Sequence, residues 1–135
     1  DLRMSRGLGD VYKRQTQECL VLANAVILKQ AISNLIENAI KYNKNGGFIK
    51  VQVKNRSDQC QIIVRDSGIG IPPEKAVHIF EPFYRVDTSR SREIGGAGLG
   101  LAITKDIVEQ HGGTICYQAC DNGGSCFMIT LPKAE

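Results

Sequence analysis

A regular spacing of apolar residues makes the stretch 25–42 the strongest structural signal in this sequence. Apolar side chains recur there three or four positions apart, as on one face of an α-helix. They are Leu28, Ile32, Leu35, Ile36, Ala39 and Ile40. Asn24 is suited to cap the start of this helix, and the Asn- and Gly-rich run 43–47 is suited to end it. The sequence therefore predicts one long helix with an apolar face.

β-rich segments lie on both sides of this helix in the sequence. The predicted strands cover residues 18–22, 48–53, 61–66, 114–119 and 125–131, and further helices are predicted at 74–80 and 98–110. Helices and strands do not alternate strictly, which disfavours a parallel βαβ fold. We expect an α/β sandwich of the α+β kind, with a mixed, mainly antiparallel sheet of about five strands and about three helices on one face.

The composition indicates one soluble domain and argues against several classes of partner. A net charge of +3 over 135 residues is too small to predict a nucleic-acid surface, and no apolar run is long enough to span a membrane. The five cysteines form no paired metal motif, so we expect small apolar fillers in a reducing cytosol. Residues 1–15 are polar and Gly-interrupted; we expect a disordered leader left by cloning, or a frayed helix, ahead of a domain at 16–135.

The first polar cluster lies on the long helix itself. Asn34, Asn38, Lys41 and Tyr42 follow at offsets of 0, 4, 7 and 8, so they share one helix face. Amide oxygens suit a hard cation such as Mg²⁺, and a lysine suits a phosphate group. The alternative is an ordinary solvated face.

The second cluster is Asp66-Ser-Gly-Ile-Gly-Ile-Pro-Pro73, which follows an apolar strand. A carboxylate at a strand end can accept a hydrogen bond from an exocyclic amine, and glycines allow a flat ring to approach the backbone. The same pattern also occurs in ordinary turns, so this cluster predicts a binding site only in combination with the other clusters.

The remaining two clusters flank a polar segment, 81–97, that has no periodicity and is expected to be a mobile loop. In the third, 79–85, Phe80 and Phe83 are predicted to anchor this loop on the core, beside Arg85. In the fourth, 95–100, glycines run into a helix, where free backbone N–H groups can bind phosphate. The spacing matches neither a Walker A loop nor a dinucleotide fingerprint.

Together these clusters resemble the four sequence boxes of bacterial histidine kinases, in family order and with family-like spacing. Residues 34–42 resemble the N box, 66–70 the G1 box, 79–85 the F box and 96–100 the G2 box. The resemblance extends from about residue 20 to residue 132. It implies the fold shared with DNA gyrase B and heat-shock chaperones, in which ATP lies between helices and a lid; here the lid would be 81–97.

The resemblance also implies roles for individual residues. Asn38 would coordinate Mg²⁺, Lys41 would meet phosphate, Asp66 would accept from the adenine amine, and Arg85 would reach the γ-phosphate. The implied catalytic residues are Asn38, Lys41 and Arg85, with Asn38 as the metal ligand. The implied ATP-binding set is Asn34, Asn38, Lys41, Tyr42, Asp66, Gly68, Gly70, Ile71, Tyr84, Arg85, Gly96, Gly98, Leu99 and Gly100. One departure is Ala97, where many relatives carry a hydroxyl residue.

The function implied is that of the ATP-binding catalytic domain of a sensor histidine kinase. Such a domain positions Mg-ATP for transfer of the γ-phosphate to a histidine on a separate dimerisation domain. In hydrolysing relatives a glutamate base lies one turn before the metal-binding Asn; here that position is Asn34, which favours transfer over hydrolysis. Neither His78 nor His111 has the context of an acceptor, so we expect this fragment not to phosphorylate itself.

Two alternatives and several wider expectations accompany this interpretation. The alternatives are an anti-sigma-type serine kinase of the same superfamily and a non-catalytic ATP-binding module. The implied partners are the dimerisation domain of the same kinase and, indirectly, a response regulator, with no nucleic acid. The fragment is expected to be monomeric and cytoplasmic, in a parent protein anchored in the membrane.

Overall fold

The computed structural model describes residues 11–16, 19–85, 100–121 and 123–134. The strands are β1 (Val11–Thr16), β2 (Phe48–Asn55), β3 (Gln59–Asp66), β4 (Thr114–Ala119) and β5 (Ser125–Pro132), and the helices are α1 (Ala25–Lys41), α2 (Pro73–Ala76) and α3 (Gly100–Gln110). The sheet has the order β1-β2-β3-β5-β4. Only the β1–β2 pair is parallel among these described strands. The predicted fold class is confirmed.

The core lies between the helices and one face of the sheet. Strand residues alternate between the two faces, so aligned positions form rows across the sheet. One such row is Val51, Val64, Phe127 and Tyr117, which are direct neighbours from β2 to β4. Helices α1 and α3 pack on this face, where the core contains buried side chains such as Leu35, Ile36, Ala39 and Val108. Burial of these apolar surfaces is the main force that holds the two layers together.

Local signals place the start of α1 and the C-terminal end of α3 where the sequence predicts them. The Asn24 side chain accepts a hydrogen bond from the Ile27 amide at 3.2 Å, so it caps α1 as expected. At the C-terminal end of α3, the Gly113 amide donates to the Val108 carbonyl and the Gly112 amide to that of Glu109. Gly112 has a φ of 76°, which completes a Schellman cap.

The N-terminal part of the sheet differs from the prediction. Residues 19–22 lie outside any strand, so the strand predicted at 18–22 is wrong for its described part. The edge strand is β1, which pairs in parallel with β2. It overlaps the segment 1–15, which was expected to be disordered, and this expectation does not hold for residues 11–15. Pairing with a distant strand overrides the weak local signal of a polar segment.

Two further differences concern the cysteines and α2. A disulfide joins Cys19 to Cys60, whose Cα atoms are 6.0 Å apart, so the prediction that all cysteines are free is wrong for this pair. Cys60 lies on β3, next to the segment that precedes α1, and this proximity arises only in the folded chain. Helix α2 ends at Ala76 instead of residue 80 because the amides of His78 and Glu81 bond to carbonyls three residues earlier, in successive turns.

Candidate functional site

The C-terminal end of α1 lies against the loop that follows β3, residues 66–71, which we call the Asp66 loop. The Ile69 amide donates to the Tyr42 carbonyl at 3.3 Å. A Cβ atom at Gly68 would overlap this same carbonyl oxygen, so only glycine fits there. The tertiary structure therefore brings the first and second clusters together, although they are separated in the sequence.

A buried polar network fixes this junction. The Asn43 side chain donates to the Phe48 carbonyl at 2.9 Å, and the Ser67 hydroxyl donates to the Asn43 side-chain oxygen at 3.3 Å. The Phe48 amide in turn donates to the Ser67 hydroxyl at 2.7 Å. Both polar side chains are buried, at 8% and 5% exposure, so each needs the other's hydrogen bonds. Sequence reasoning missed these residues because it assigned Asn43 only a helix-ending role.

Asp66 is the buried carboxylate of the site. It ends β3, is 7% exposed, and uses one oxygen, Oδ1, to accept from the Gly68 amide at 2.8 Å and the Ser125 amide at 3.3 Å. Both of the backbone amides that bond to the Asp66 carboxylate among the described residues therefore reach the same oxygen. Burial raises the pKa of Asp66 above its ordinary value, and the two backbone hydrogen bonds only partly oppose this.

The sign of this shift determines how Asp66 affects stability. A raised pKa means that the folded state prefers the protonated carboxyl more than the unfolded state does. The contribution of Asp66 to the free energy of unfolding is therefore fully present at low pH. It is lost as the pH rises through the raised pKa. A carboxylate that costs stability when ionised is a candidate for a functional group, because structural needs alone would favour an amide there.

The turn between β4 and β5 forms the back of the Asp66 loop. A Cβ atom at Gly124 would overlap the Asp66 carbonyl oxygen, and one at Gly70 would overlap the Gly123 carbonyl oxygen. Gly70 also has a φ of 71°, a conformation that glycine adopts readily. The sequence predicted this turn but not its contact with the loop, since nothing local links residues more than fifty positions apart.

The N-terminal half of the polar face of α1 meets the start of α3. The Asn34 side chain accepts from Gln30 at 3.1 Å and donates to the Gly100 carbonyl at 3.5 Å. The Thr104 hydroxyl donates to the same carbonyl at 2.8 Å. Asn38 lies half-buried one turn further along α1, and Lys41 is exposed in the last turn. Residues of the first, second and fourth clusters thus border one side of α1.

The third cluster is only partly as predicted. Ile79 is buried at 5% exposure, and the Phe80 ring packs edge-on against Phe127 with centroids 6.3 Å apart, so Phe80 is an anchor as expected. Phe83 is not: its φ of 67° is unusual for an aromatic residue, and its side chain is 70% exposed. The positive φ turns the ring away from the core. The ring of Tyr84 contacts the ring of His78 in a tilted arrangement, with the two centroids 5.3 Å apart.

Several predicted site residues are not placed by these contacts. Gly96, Gly98, Leu99 and most of the predicted lid lie outside the described residues. Arg85 is half-buried at the end of the described segment, and its approach to a phosphate stays a prediction. In the described part of the chain, no group of three or more His, Cys, Asp or Glu side chains could hold a metal ion.

Comparison with known proteins identifies a family model and related kinases. Residues 23–135 match the model described as histidine kinase-, DNA gyrase B-, and HSP90-like ATPase. The chain is 41% identical over 110 residues to the sensor histidine kinase WalK of Bacillus subtilis, covering 80% of this chain and 18% of the relative. It is 40% identical over 132 residues to RppB of Synechocystis, covering 98% of this chain and 27% of the relative. The chain thus spans only about a fifth to a quarter of these relatives.

Solved structures with the same fold come from histidine kinases. The mycobacterial sensor histidine kinase MprB has a TM-score of 0.82 and 31% identity, covering 90% of this chain and 82% of that one. The catalytic domain of histidine kinase ThkA has a TM-score of 0.79 and 31% identity, covering 92% and 80%. ThkA in complex with the response regulator TrrA has a TM-score of 0.74, 31% identity and coverages of 91% and 34%. Full-length ShkA in complex with AMPPNP has a TM-score of 0.74, 26% identity and coverages of 91% and 26%.

No described helix is long and apolar enough to cross a membrane.

Proposed function

Because the chain belongs to the histidine kinase-, DNA gyrase B- and HSP90-like ATPase family, with the fold of sensor histidine kinase catalytic domains, we propose that it positions Mg-ATP for phosphoryl transfer. The acceptor is a histidine on a separate dimerisation domain. The observation that supports this best is the Asp66 carboxylate, buried at the end of β3 with one oxygen fixed by two backbone amides. Its other oxygen can accept from the exocyclic amine of adenine, which guanine lacks at that position.

The residues present fit an adenine nucleotide. Gly68 and Gly70 let the Asp66 loop pack closely against the Tyr42 carbonyl and the Gly123 carbonyl, and this packing shapes the loop that would receive a flat ring. Tyr42 contacts this loop through its carbonyl, Ile71 is the last residue of the loop, and both residues are half-buried. The kinase ShkA, which has the same fold, has been solved in complex with AMPPNP, an ATP analogue. The chemistry of these residues and the family of the chain therefore both support ATP as the ligand.

The polar face of α1 and the start of α3 carry the residues that would hold Mg²⁺ and the triphosphate. Asn38 presents a half-buried amide on the polar face of α1, and an amide oxygen is a suitable ligand for Mg²⁺. A bound Mg²⁺ would neutralise phosphate charge, as in other phosphoryl-transfer enzymes. Lys41 and Arg85 would contribute positive charge toward the phosphates, and Gly96, Gly98, Leu99 and Gly100 would contribute backbone at the start of α3.

Contacts of Asn34 support transfer over hydrolysis. Its side-chain oxygen accepts from Gln30 and its nitrogen donates to Gly100, so this amide supports the junction of α1 and α3. An amide cannot remove a proton from water, and Glu37 is exposed one residue before Asn38, about 100° around the helix. The glutamate nearest to Asn38 in the sequence therefore lies on a different face of α1, and the position one turn before Asn38 carries an amide.

The two histidines are occupied by structural contacts. His111 places Nε2 as acceptor for the Asn24 amide at 3.1 Å and Nδ1 against the Ile107 carbonyl at 2.8 Å. His78 contacts the Glu81 carboxylate at 2.7 Å and stacks on Tyr84. Neither histidine has the sequence context of an acceptor, and we propose that the chain alone binds Mg-ATP without phosphorylating itself.

The wider setting follows from the relatives. The partner in catalysis is the dimerisation domain of the parent kinase, and the ThkA–TrrA complex supports a response regulator as the downstream partner. We propose a cytoplasmic position for this domain, a membrane-anchored parent and a monomeric isolated chain.

The experiment that tests the proposal is calorimetric titration with ATP and with GTP, each with and without Mg²⁺. Selective binding of ATP, strengthened by Mg²⁺, is the expected result, and equal binding of GTP or no binding would contradict it. In parallel, the chain is incubated with ATP labelled at the γ-phosphate. Acid-labile label retained on the chain would contradict the assignment of the acceptor to another domain, and acid-stable label would indicate a serine kinase.

A further inference from the structure

Tyr117 touches the proposed nucleotide site although it lies outside all four clusters. Its hydroxyl accepts a hydrogen bond from the Ile71 amide at 3.1 Å and lies 3.5 Å from the Ile71 carbonyl, to which it donates. Its ring lies 5.3 Å from that of Phe127, in the core-facing row of the sheet. Packing of the ring on Phe127 therefore fixes where the hydroxyl is held.

Ile71 is the last residue of the Asp66 loop, and each part of that loop has a different anchor. The start is held by the bond between the Gly68 amide and the Asp66 carboxylate, and the middle by the bond between the Ile69 amide and Tyr42. Among the described residues, the hydroxyl of Tyr117 is the hydrogen-bonding group that anchors the end of the loop. A single hydroxyl engages both backbone groups of one residue, which restricts the peptide units on either side of Ile71.

We propose that Tyr117 is a positioning residue for adenine nucleotides, which holds the Asp66 loop in the conformation that receives the base. This inference rests on the proposed function. Tyr117 acts through the backbone of Ile71, at the end of the loop that begins with Asp66. A loop already held in place loses less conformational freedom when it binds a ligand, so the anchor raises affinity.

The test is the Tyr117→Phe variant, which removes the hydroxyl and keeps the ring on Phe127. Two backbone hydrogen bonds of ordinary strength correspond to a loss of roughly 5- to 150-fold in affinity if their full value is expressed in binding. ATP and ADP should weaken by the same factor, because the adenine end is affected. The ratio of ATP affinities with and without Mg²⁺ should stay unchanged. A Thr130→Val variant removes a hydroxyl from the other face of β5 and should bind ATP like the unaltered chain.

A merely structural role for Tyr117 predicts a different result. The melting temperature would fall while the dissociation constant for ATP stayed within twofold of the unaltered chain, and this outcome would overturn the proposal. A loss confined to ATP, with ADP unaffected, would also overturn it, since it would place the effect at the γ-phosphate. If the unaltered chain binds no ATP, the proposed function fails first and this inference fails with it.

Amide hydrogen exchange supplies a readout that does not depend on the variant folding fully. In the unaltered chain the Ile71 amide should exchange slowly for a loop residue, because it donates to the Tyr117 hydroxyl. In Tyr117→Phe this amide should exchange faster, while Val64 and Ile129 in the core strands stay protected. Rapid exchange of the Ile71 amide in the unaltered chain would contradict the anchor.

Discussion

Replacement of Asp66 by Asn separates the ligand contact of this residue from its structural contacts. The carboxylate accepts from the Gly68 and Ser125 amides through Oδ1, and Asn can preserve both bonds with its single oxygen. The amide nitrogen then occupies the position of Oδ2. In the proposed complex it would face the exocyclic amine of adenine, so a donor would meet a donor where an acceptor is needed.

The magnitude follows from the kind of hydrogen bond that is lost. A hydrogen bond to a charged acceptor contributes about 1.5–3 kcal/mol, which corresponds to a loss of roughly 10- to 150-fold in affinity for ATP. GTP carries a carbonyl where ATP carries the amine, so its binding should improve relative to ATP. The free energy of unfolding at pH 7 should not decrease, because the substitution removes a buried group whose pKa is raised by desolvation.

The assay pairs calorimetric titration with thermal unfolding of the same samples. Asp58→Asn is the matched control, since Asp58 is exposed in the turn between β2 and β3 and undergoes the same chemical change. The reasoning is refuted if Asp66→Asn binds ATP like the unaltered chain. It is also refuted if the loss of binding is accompanied by a clear fall in melting temperature, because the side chain would then act mainly in folding.

Four other perturbations probe the site and the fold that supports it. In the unaltered chain, ATP affinity should fall on acidification, because protonation of Asp66 removes the acceptor. Because the pKa of Asp66 is raised, this fall should begin at a higher pH than for an exposed carboxylate. An ATP affinity that stays constant down to the ordinary pKa of Asp would count against this. Asn38→Ala should cost about 1.5–3 kcal/mol of ATP binding with Mg²⁺ and little without it, measured by calorimetry. Gly124→Ala should lower the free energy of unfolding by about 2–3 kcal/mol, because its Cβ atom would overlap the Asp66 carbonyl. Gly46→Ala, whose Cβ atom would lie in open space at a φ of 76°, should lower it by about 1 kcal/mol. Denaturant unfolding compares the two variants. Reduction of the Cys19–Cys60 disulfide, which closes a sequence separation of 41, should destabilise the chain by roughly 2–4 kcal/mol, and an intact mass with both thiols free before reduction would contradict it.

Local chemistry explains why much of the fold can be predicted from the sequence. Helix α1 carries its own apolar period, its Asn24 cap and its Gly-rich end, and each of these acts within a few residues. The same holds for strands β4 and β5, whose alternation reflects one face that is more buried than the other. Where the local signal is weak it fails: the strand predicted at 18–22 is absent from the described part of that segment, and β1 pairs with β2 instead.

The sequence by itself determined the family, because four motifs occur in family order, and it predicted the residues that carry chemistry. Only the tertiary structure decided how these residues are supported. The amide of Ser125 reaches Asp66 across 59 positions, and the hydroxyl of Tyr117 reaches Ile71 across 46. The tertiary structure also shows that Phe83, at a positive φ, is exposed to solvent. Such contacts depend on how the sheet brings distant segments together, and no short-range pattern of residues encodes that arrangement.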